Sequence, residues 1–494
     1  MSQPRAAVGA ASWRHWTWLA PGLLVYSICR IPSFFEPHWY TDEAGYATTA
    51  RAVLRGLPLY VQAWTNKPPL HIWAVALPLS LFGPGEAGFH ALTFVSGLLA
   101  LLAVGLLARR LLSPRRALIA SVGFGIAIGL PLFQAELLVP ESLLIAPTTW
   151  AGLVVLTRVI PMFGGRAGRW TWAALAGGLM GIAVGFQQTA LADAAVFAVI
   201  IALVPGVSRR ALLGYGLAFL AVVASWLTPA LVVAGIPAIA FALVGFYHAY
   251  VAFSAPTSPL GMGLRILGPA LALLGAFTAR RDVRATWPLW LWACADLAVS
   301  AIANRPYPHF LVPALAPTIL ALVSIRAIHL PVRWRLAPLA AAFAVTVPLA
   351  WAAGTDFNAF QAYAVWPTAQ LGQHRTEWSA QLDIRSPADE ATAEWLRDHG
   401  MAQSSAVIWS SSAWLYLLAD LPLGLPTAPI YNNVVLLGSA SAVADRVDAM
   451  APQVIVTSEE ALSKWPEIEP LLARDYALAF QSYPDSVYLR RAGH

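Results

Sequence analysis

Two adjacent acidic residues stand in a short polar stretch near the start of the sequence. Asp42 and Glu43 open a segment whose apolar positions recur at helical spacing between residues 46 and 54. Thr41 or Asp42 is predicted to cap this helix, and Gly56 to end it. Acids in a first helical turn can simply stabilise a surface helix, because the positive end of the helix dipole favours them. Their position just beyond the first long apolar run also suits a second interpretation, in which they face a membrane-embedded substrate.

A lone lysine follows on the same stretch. Lys67 is the only lysine before Lys464, in a sequence that otherwise carries its positive charge on arginine. A lysine near a membrane surface can simply extend its ammonium group to the interface. Here, however, Pro68 and Pro69 restrict the backbone immediately after the lysine. Because a point charge held at a defined place suits a phosphate group, we predict that Lys67 binds phosphate.

The composition places these residues in a membrane protein. Of the 494 residues, 58% are hydrophobic and only 11% are charged, whereas soluble domains carry about 25% charged residues. Nine of the 25 acidic residues precede position 354 and sixteen follow it. We therefore predict a transmembrane domain over residues 1–353 and a water-exposed domain over 354–494.

The net charge of +6 lies in short arginine clusters between apolar runs, which indicates membrane orientation and excludes nucleic-acid binding. Cys29 and Cys294 lie inside apolar runs, so neither a disulfide framework nor a cysteine-based metal site is expected.

About eleven apolar runs are long enough to cross a hydrocarbon core of roughly 30 Å as helices. They lie near 17–35, 88–108, 117–134, 142–158, 170–187, 189–205, 211–235, 260–279, 286–303, 309–327 and 336–353. If the N-terminus is cytoplasmic, the arginine clusters between these runs fall on the cytoplasmic side, in agreement with the positive-inside rule. The apolar segment 68–82 is too short to span and is expected to lie along, or dip into, the membrane surface. Residues 36–86 then form one long extracytoplasmic loop, and the C-terminal domain lies on the same side.

Three motifs in this loop carry a resemblance to a known family. They are Tyr40-Thr41-Asp42-Glu43, an Ala-Arg-x-x-Leu-x-Gly stretch followed by Leu59-Tyr60, and Asn66-Lys67-Pro68-Pro69-Leu70. Together they resemble the membrane glycosyltransferases of the C-type fold. More narrowly, they are similar to bacterial enzymes of families 39 and 83, the protein mannosyltransferase and lipid A aminoarabinose transferase group. The resemblance agrees with a polytopic α-helical fold of about eleven spans followed by a soluble α/β domain.

The resemblance implies a reaction and assigns its residues. The donor would be a sugar carried on a polyprenyl phosphate, and the acceptor a hydroxyl of a glycan, lipid or protein. A phosphate leaving group needs positive charge where its negative charge grows, which Lys67 and Arg305 would supply. Asp42 would be the base for the attacking hydroxyl, and Glu43 would orient Asp42 or bind the sugar. One base and a direct displacement predict inversion at the anomeric carbon. No cofactor is assigned, and a divalent metal stays open as an alternative.

Other polar residues in the predicted outer segments are assigned to the substrate. Tyr46 lies on the same predicted helix as Asp42. Glu136 is chosen over Glu141 as the second acidic residue, because the resembled family carries one near this position, although both acids could merely face water. Gln187 and Gln188 form a polar hairpin between two spans. Gln188 is a candidate sugar or lipid-phosphate contact, and packing is the alternative.

The last outer turn before the tail contains Arg305, Tyr307 and His309. Arg305 is placed outside, against the positive-inside rule, and the resemblance gives it a role at the lipid phosphate. The resemblance also implies that Tyr307 and His309 line the cavity for the lipid phosphate, so both are assigned to substrate binding. His309 has no partner at metal-ligand spacing, and a polar core histidine is the favoured alternative for it. Asp193 lies within a span and is either functional or paired to a neighbouring helix. Residues 236–259 are interpreted as an outer loop that covers the cavity.

The tail changes from about residue 384 to the pattern of a soluble α/β unit. Ser386 and Pro387 are predicted to start a helix that Gly400 ends. Strands are predicted at 406–409, 454–457, 477–481 and 487–489, and helices near 411–419, 440–450 and 459–473. The tail has no glycine-rich phosphate loop and no nucleophile elbow, so binding of the acceptor or a shaping role is expected rather than catalysis.

Two other function classes fit a polytopic protein of this kind. A lipid or solute transporter would also carry ionisable residues within its spans, but such proteins often show internal repeats and polar sites at mid-membrane. The sequence shows no repeat, and its polar residues gather on one side. A non-catalytic scaffold is the third class, and the acid and lysine motifs of the first loop argue against it. Membrane lipid is an expected partner in every case.

Overall fold

The computed structural model describes residues 18–160, 170–253, 263, 266–274, 286–302, 307–324, 357–369 and 375–491. Within these ranges, the helices Glu86–Leu111, Pro140–Val159 and Arg209–Tyr250 are long and apolar enough to cross a membrane. Shorter apolar helices accompany them at Ala20–Phe35, Pro69–Phe82, Trp170–Phe186, Gln188–Leu203, Trp287–Ile302 and Pro308–Ser324. The chain is therefore a mostly helical polytopic membrane protein, as predicted. The predicted span near 336–353 lies outside the described residues, and so does part of the one near 260–279.

Helices form along the apolar runs, and proline stands at the first turn of several of them, where it costs no hydrogen bond. The helices up to residue 324 are Ala20–Arg30, Thr41–Leu54, Pro69–Phe82, Glu86–Leu111, Pro114–Gly129, Pro140–Val154, Trp170–Phe186, Leu191–Leu203, Arg209–Ala240, Phe246–Phe253, Trp287–Ile302 and Val312–Ser324. Those that follow are Phe357–Ala369, Arg375–Leu382, Arg385–Asp398, Trp414–Leu418, Ile430–Leu437, Ala440–Met450, Glu459–Lys464 and Glu469–Asp475. The prediction of a loop at 236–259 is wrong for its described residues, which are helical after a kink at Gly235 and pass through a π-helical turn into Phe246–Phe253.

Small residues let the membrane helices approach closely. The helices Trp170–Phe186 and Arg209–Ala240 pack side by side, and a Cβ atom at Gly177 would collide with the backbone of Tyr215. Close contact through small residues is a common way for helices to associate in lipid, where no hydrophobic force drives them together. This pairing fixes the position of Gln188, which follows the first of the two helices.

The helix that carries the acidic pair spans Thr41–Leu54 and is called here the Asp42 helix. Its position confirms the predicted helix, and Gly56, with φ of +92°, follows its end as expected. The predicted side-chain cap is wrong: Tyr40 is the N-cap residue, and no side-chain cap hydrogen bond is made there. Asp42 is therefore free to point away from the helix end.

The short apolar segment after Lys67 forms a helix of 14 residues, Pro69–Phe82. At 1.5 Å per residue, such a helix covers roughly 21 Å, which is less than the hydrocarbon core of a bilayer. It buries Ile72 and Val75 and exposes Leu77 and Leu81. These features agree with the interpretation of this segment as one that does not span the membrane.

The C-terminal part contains one four-stranded sheet in the order β1-β2-β4-β3. The strands are β1 Ala406–Trp409, β2 Val454–Ser458, β3 Tyr476–Ser482 and β4 Asp485–Arg490, which confirms all four predicted strands. β1 and β2 are parallel, whereas β4 runs antiparallel to both β2 and β3. Every residue of β1 and β2 is buried, in agreement with the apolar run of β1 and of the first three residues of β2.

The helices around the sheet were predicted less well than its strands. The predicted helix over 459–473 is divided by a 3₁₀ turn at Pro466–Ile468, because proline cannot donate the backbone hydrogen bond that would continue the first helix. Ser386 does not cap its helix, since its hydroxyl donates to the carbonyl oxygen of His38 instead. The helix Ile430–Leu437, called here the Tyr431 helix, was not predicted.

The first outer loop and the C-terminal sheet share one hydrophobic core, to which Ala44, Phe89 and Trp414 all contribute. The amide of Trp64 donates to the carbonyl oxygen of Pro426 at 2.6 Å. Arg55 pairs with Asp420 at 2.6 Å. The Asp42 helix is therefore fixed between the membrane helices and the C-terminal part.

Candidate active site

A cavity of about 460 Å³ opens beside the first turn of the Asp42 helix. Residues from both ends of the described chain line it, and most of the predicted site residues are among them. They are Asp42, Tyr46, Lys67, Gln188, Tyr307 and His309. The structure thus brings the acidic motif, the lysine motif and the last outer turn to one place. Arg305 lies outside the described residues.

Asp42 is half-buried in the wall of this cavity. The hydroxyl of Tyr431 donates a hydrogen bond to Asp42 Oδ1 at 3.3 Å. Burial raises the pKa of Asp42 above its usual range, while the charge of Lys67 and the Tyr431 hydrogen bond act in the opposite direction. A carboxylate with a raised pKa accepts a proton more readily, which suits a general base.

Lys67 is held as a fixed cation. Its side chain is only 7% exposed, and its ammonium group lies 5.8 Å from the centre of the Tyr46 ring. Its backbone is held as well, because its carbonyl oxygen accepts from the Tyr60 hydroxyl at 2.6 Å. Burial alone would lower the pKa of Lys67, but Tyr247, Glu141 and Asp42 outweigh burial and raise it. Lys67 therefore stays protonated and presents its charge to the cavity.

Of the two glutamates considered for the second acidic position, Glu141 lines the cavity and Glu136 does not. Glu141 lies in the first turn of the helix Pro140–Val154, and its Oε1 accepts from Gln187 Nε2 at 3.0 Å. Glu136 precedes that helix, lines neither of the two large cavities and is buried near Arg30 instead. The choice of Glu136 from the sequence therefore does not fit the structure. A proline at the helix start followed by an acid was the signal that favoured Glu141.

Glu43 also points away from the cavity. It is fully buried, and its Oε1 accepts a hydrogen bond from the backbone amide of Leu138. Successive residues on a helix are separated by about 100°, so Asp42 and Glu43 cannot face the same space. The expected sugar contact of Glu43 does not fit this position, and its effect on Asp42 passes through the helix they share.

The side chain of Gln188 supports the backbone beside Lys67 and does not project a free amide into the cavity. Its Nε2 donates to the carbonyl oxygens of Asn66 and Leu243, at 3.3 and 3.1 Å. The packing alternative for Gln188 is thereby favoured.

His309 is buried, with its Nδ1 3.0 Å from Gln134 Oε1, and the ring of Tyr307 stacks on its imidazole. Both aromatic residues contribute to the cavity wall.

Several cavity residues escaped the sequence analysis. Tyr431 comes from the unpredicted helix, which reaches the site because its N-cap residue Pro429 packs against Gly45 of the Asp42 helix. No motif marks Tyr431, and the only signal was a proline before a short apolar run.

Asp296 was not singled out either, and it lies within hydrogen-bonding reach of Asp193 at the edge of the same cavity. That contact agrees with the predicted alternative that Asp193 is paired to a neighbouring helix.

A second, larger cleft of about 1020 Å³ adjoins the first. The two share Asp42, Tyr250, Tyr307 and Tyr431 in their walls. The second cleft reaches outward between the first outer loop and the C-terminal part. Its wall is rich in aromatic and charged side chains, including Trp39, Tyr40, Arg385, Glu459, Glu460, Lys464, Trp465 and Tyr483. Asp42 therefore stands where two separate approaches meet.

Comparison with known proteins identifies the fold. No family model and no curated sequence matches the chain significantly. The structure is similar to that of ArnT from Cupriavidus metallidurans bound to undecaprenyl phosphate, with a TM-score of 0.61 and 17% identity, covering 98% of this chain and 99% of ArnT. It is also similar to AglB from Archaeoglobus fulgidus in complex with an inhibitory peptide and a dolichol-phosphate, with a TM-score of 0.52 and 14% identity, covering 97% of this chain and 74% of AglB. Both are glycosyltransferases of the C-type fold, so the fold expected from the sequence is confirmed.

Proposed function

We propose that this protein transfers a sugar from a polyprenyl-phosphate donor to an acceptor hydroxyl. The observation that carries the proposal is the buried ammonium group of Lys67 in one cavity with the carboxylate of Asp42. The fold supports it, because ArnT of the same fold has been determined with undecaprenyl phosphate bound. Fold alone does not fix an activity, so the weight rests on the two side chains.

Lys67 would bind the donor phosphate. As the sugar departs, the phosphate gains negative charge, and a cation already in place stabilises that charge without rearrangement. The mainly apolar membrane helices around the cavity would accept the first part of the polyprenyl chain. Glu141 and Tyr247 would hold the ammonium group in position from the other side, since both act on it electrostatically.

Asp42 would accept the proton of the attacking hydroxyl. The acceptor hydroxyl approaches one face of the anomeric carbon while the phosphate leaves from the other, so the configuration inverts. Tyr431 would orient the carboxylate through its 3.3 Å hydrogen bond. The C-terminal part would thus contribute directly to the catalytic site, beyond the acceptor-binding or shaping role expected from its sequence.

The second cleft would admit the acceptor. Its wall combines aromatic rings with Arg385, Lys464 and acidic residues, a lining that suits a polar, hydroxyl-rich molecule better than a hydrocarbon chain. Donor and acceptor would then meet at Asp42 from the two approaches. We place this meeting point on the extracytoplasmic face of the cell membrane, because the arginine clusters orient the spans that way. In that arrangement, residues 1–353 form the transmembrane domain, and residues 354–494 form the extracytoplasmic α/β domain.

Mass spectrometry of cell-envelope glycans tests the proposal. A strain that lacks this chain is compared with strains restored by the wild type and by Asp42→Asn. We expect one sugar modification to disappear in the deletion strain, to return with the wild type and to stay absent with Asp42→Asn at equal membrane levels. Restoration by Asp42→Asn would overturn the assignment of the base and would favour the transporter interpretation.

A further inference from the structure

Beneath the Asp42 helix, on the side away from the cavity, three buried side chains converge. Glu43, Glu86 and His90 offer ligand atoms that all lie within 4.8 Å of one another. Glu43 belongs to the Asp42 helix, whereas Glu86 and His90 occupy the first two turns of the helix Glu86–Leu111. Their exposed fractions are 0%, 4% and 0%. This cluster takes no part in the proposed transfer reaction.

The atoms of the cluster are spaced like metal ligands rather than like hydrogen-bond partners. His90 Nε2 lies 3.4 Å from Glu43 Oε1 and 3.6 Å from Glu86 Oε2. An imidazolium that donates to a carboxylate is expected at about 2.7–2.9 Å. Ligands at about 2.0–2.1 Å from a tetrahedral zinc ion are separated from one another by about 3.4 Å. The observed separations agree with the second arrangement.

Nε2 of His90 faces the two carboxylates. His90 Nδ1 lies 2.5 Å from the carbonyl oxygen of Ser33, which can only accept a hydrogen bond. Nδ1 therefore carries a hydrogen, and Nε2 is the ring nitrogen that would bind a metal ion, in competition with a proton. Such a contact from one ring nitrogen to a backbone carbonyl is typical of histidines that ligate a metal through the other.

Three of the four carboxylate oxygens of the cluster lack the hydrogen-bond partners that a buried acid needs, and the fourth, Glu43 Oε1, accepts from the Leu138 amide. Both oxygens of Glu86, Oε2 of Glu43 and Nε2 of His90 are buried with no hydrogen-bond partner. Glu36, in the same region, is different, because Trp39 Nε1 donates to its Oε2 and the Tyr363 hydroxyl to its Oε1. Buried charges are normally paired or bound to a metal. A cation bound between the three side chains would satisfy these atoms together.

We propose that Glu43, Glu86 and His90 bind a divalent cation of the zinc or manganese type, which are the ions that imidazole and carboxylate ligands favour together. The ion would join the Asp42 helix to the start of the helix Glu86–Leu111. Because Glu43 directly follows Asp42, this joint would set the direction in which Asp42 faces the cavity. The site is structural, and its occupancy does not depend on transferase activity.

Elemental analysis of the full-length protein tests the site. The chain is purified in detergent without added metal, dialysed, and measured by inductively coupled plasma mass spectrometry, before and after incubation with Zn²⁺ or Mn²⁺. We expect about one equivalent per chain, and a loss of at least about tenfold in the metal content of His90→Gln and Glu86→Gln. Glu141→Gln is the matched control, because it neutralises an acid in the neighbouring cavity and should retain the metal.

A second measurement on the wild type covers the case in which the variants fail to fold. X-ray absorption at the metal edge should show one imidazole among light-atom ligands, and a chelator should lower the melting temperature by roughly 3 °C or more. Loss of the metal in Glu141→Gln but not in His90→Gln would move the ion to the cavity and overturn the proposal. A wild type that binds neither ion would also overturn it, and would leave a doubly protonated His90 to pair the two glutamates.

Discussion

Two acidic centres lie on opposite sides of one short helix, and they differ in almost every physical respect. The cavity around Asp42 contains a fixed cation, a hydroxyl donor and space for substrate. The cluster around Glu43 is closed, contains a histidine, and has unpartnered oxygens. Under the two proposals, adjacent positions in the sequence would serve catalysis in one case and architecture in the other. The difference arises from the rotation of about 100° between neighbouring residues of a helix.

Neutralising Asp42 and Glu43 separately tests most directly whether the two sides of the helix have different roles. Asp42→Asn should lower the rate of sugar transfer by about 10³-fold, because general-base catalysis contributes roughly 10²–10⁴. Its melting temperature should stay close to that of the wild type. Transfer is measured with purified protein in liposomes that contain a polyprenyl-phosphate sugar, by the release of polyprenyl phosphate.

Glu43→Gln is the matched control for Asp42→Asn. We expect it to lower the melting temperature by several degrees, since it disturbs a fully buried acid, and to affect transfer mainly through that instability. If Glu43→Gln lost transfer as completely as Asp42→Asn while keeping the wild-type melting temperature, the two acids would belong to one catalytic site.

Lys67→Ala should produce the next largest effect. Removing the cation should slow transfer by about 10²-fold, in line with the loss of one preorganised charge at a developing anion. Donor binding should weaken as well, because the charge contacts the phosphate before and during the reaction. Binding is measured with a fluorescent polyprenyl phosphate. Lys67→Arg retains the charge and should recover part of the binding, so an Arg variant as weak as the Ala variant would argue against a phosphate site.

Glu141→Gln should have a smaller effect, about tenfold on transfer. Glu141 acts on the site through Lys67, because its negative charge raises the pKa of the Lys67 ammonium group. The loss should therefore appear mainly at alkaline pH, where the less stabilised ammonium group begins to deprotonate. A pH profile of transfer for the variant and the wild type measures this. Equal profiles would mean that Glu141 does not act on Lys67.

Tyr431→Phe should change the pH dependence with only a few-fold loss of rate. The Tyr431 hydrogen bond lowers the pKa of Asp42 against the effect of burial. Removing it should raise that pKa, so activity that requires the ionised carboxylate should be lost at a higher pH as the solution is acidified. The acid limb of kcat/KM reports this shift. An acid limb at the same pH as in the wild type would mean that Tyr431 does not affect the ionisation of Asp42.

The sequence analysis succeeded where the signal is local. The apolar runs, the Asp42 helix and the four strands of the tail depend on periodicity and composition within a few residues. Asp42 and Lys67 were found because each stands out by type and position, in a chain with few acids and only two lysines. Proximity of the two in one cavity followed from the loop that both belong to.

The remaining site residues depend on tertiary packing, which no local pattern encodes. The Tyr431 helix has eight residues and is positioned by tertiary contacts, including that of Pro429 with Gly45 and of the Tyr431 ring with Tyr250. Glu43 was assigned to orienting Asp42 or to binding the sugar, because a predicted helix gives the angle between the two residues but not which of its faces meets the cavity. Gln188 was a candidate substrate contact, whereas its side chain donates to the carbonyl oxygens of Asn66 and of Leu243 in the π-helical turn.

Glu136→Gln should have the smallest effect and completes the comparison of the two regions. Glu136 was the acid favoured from the sequence, yet it lies outside the cavity, on the same side of the Asp42 helix as the buried cluster. Burial raises its pKa to about 8, so the folded protein holds it mainly protonated near neutral pH, and glutamine reproduces that state. We expect transfer within about twofold of the wild type in the liposome assay. A tenfold loss matching that of Glu141→Gln would return Glu136 to the site, and the division between a catalytic and an architectural side of the helix would then fail.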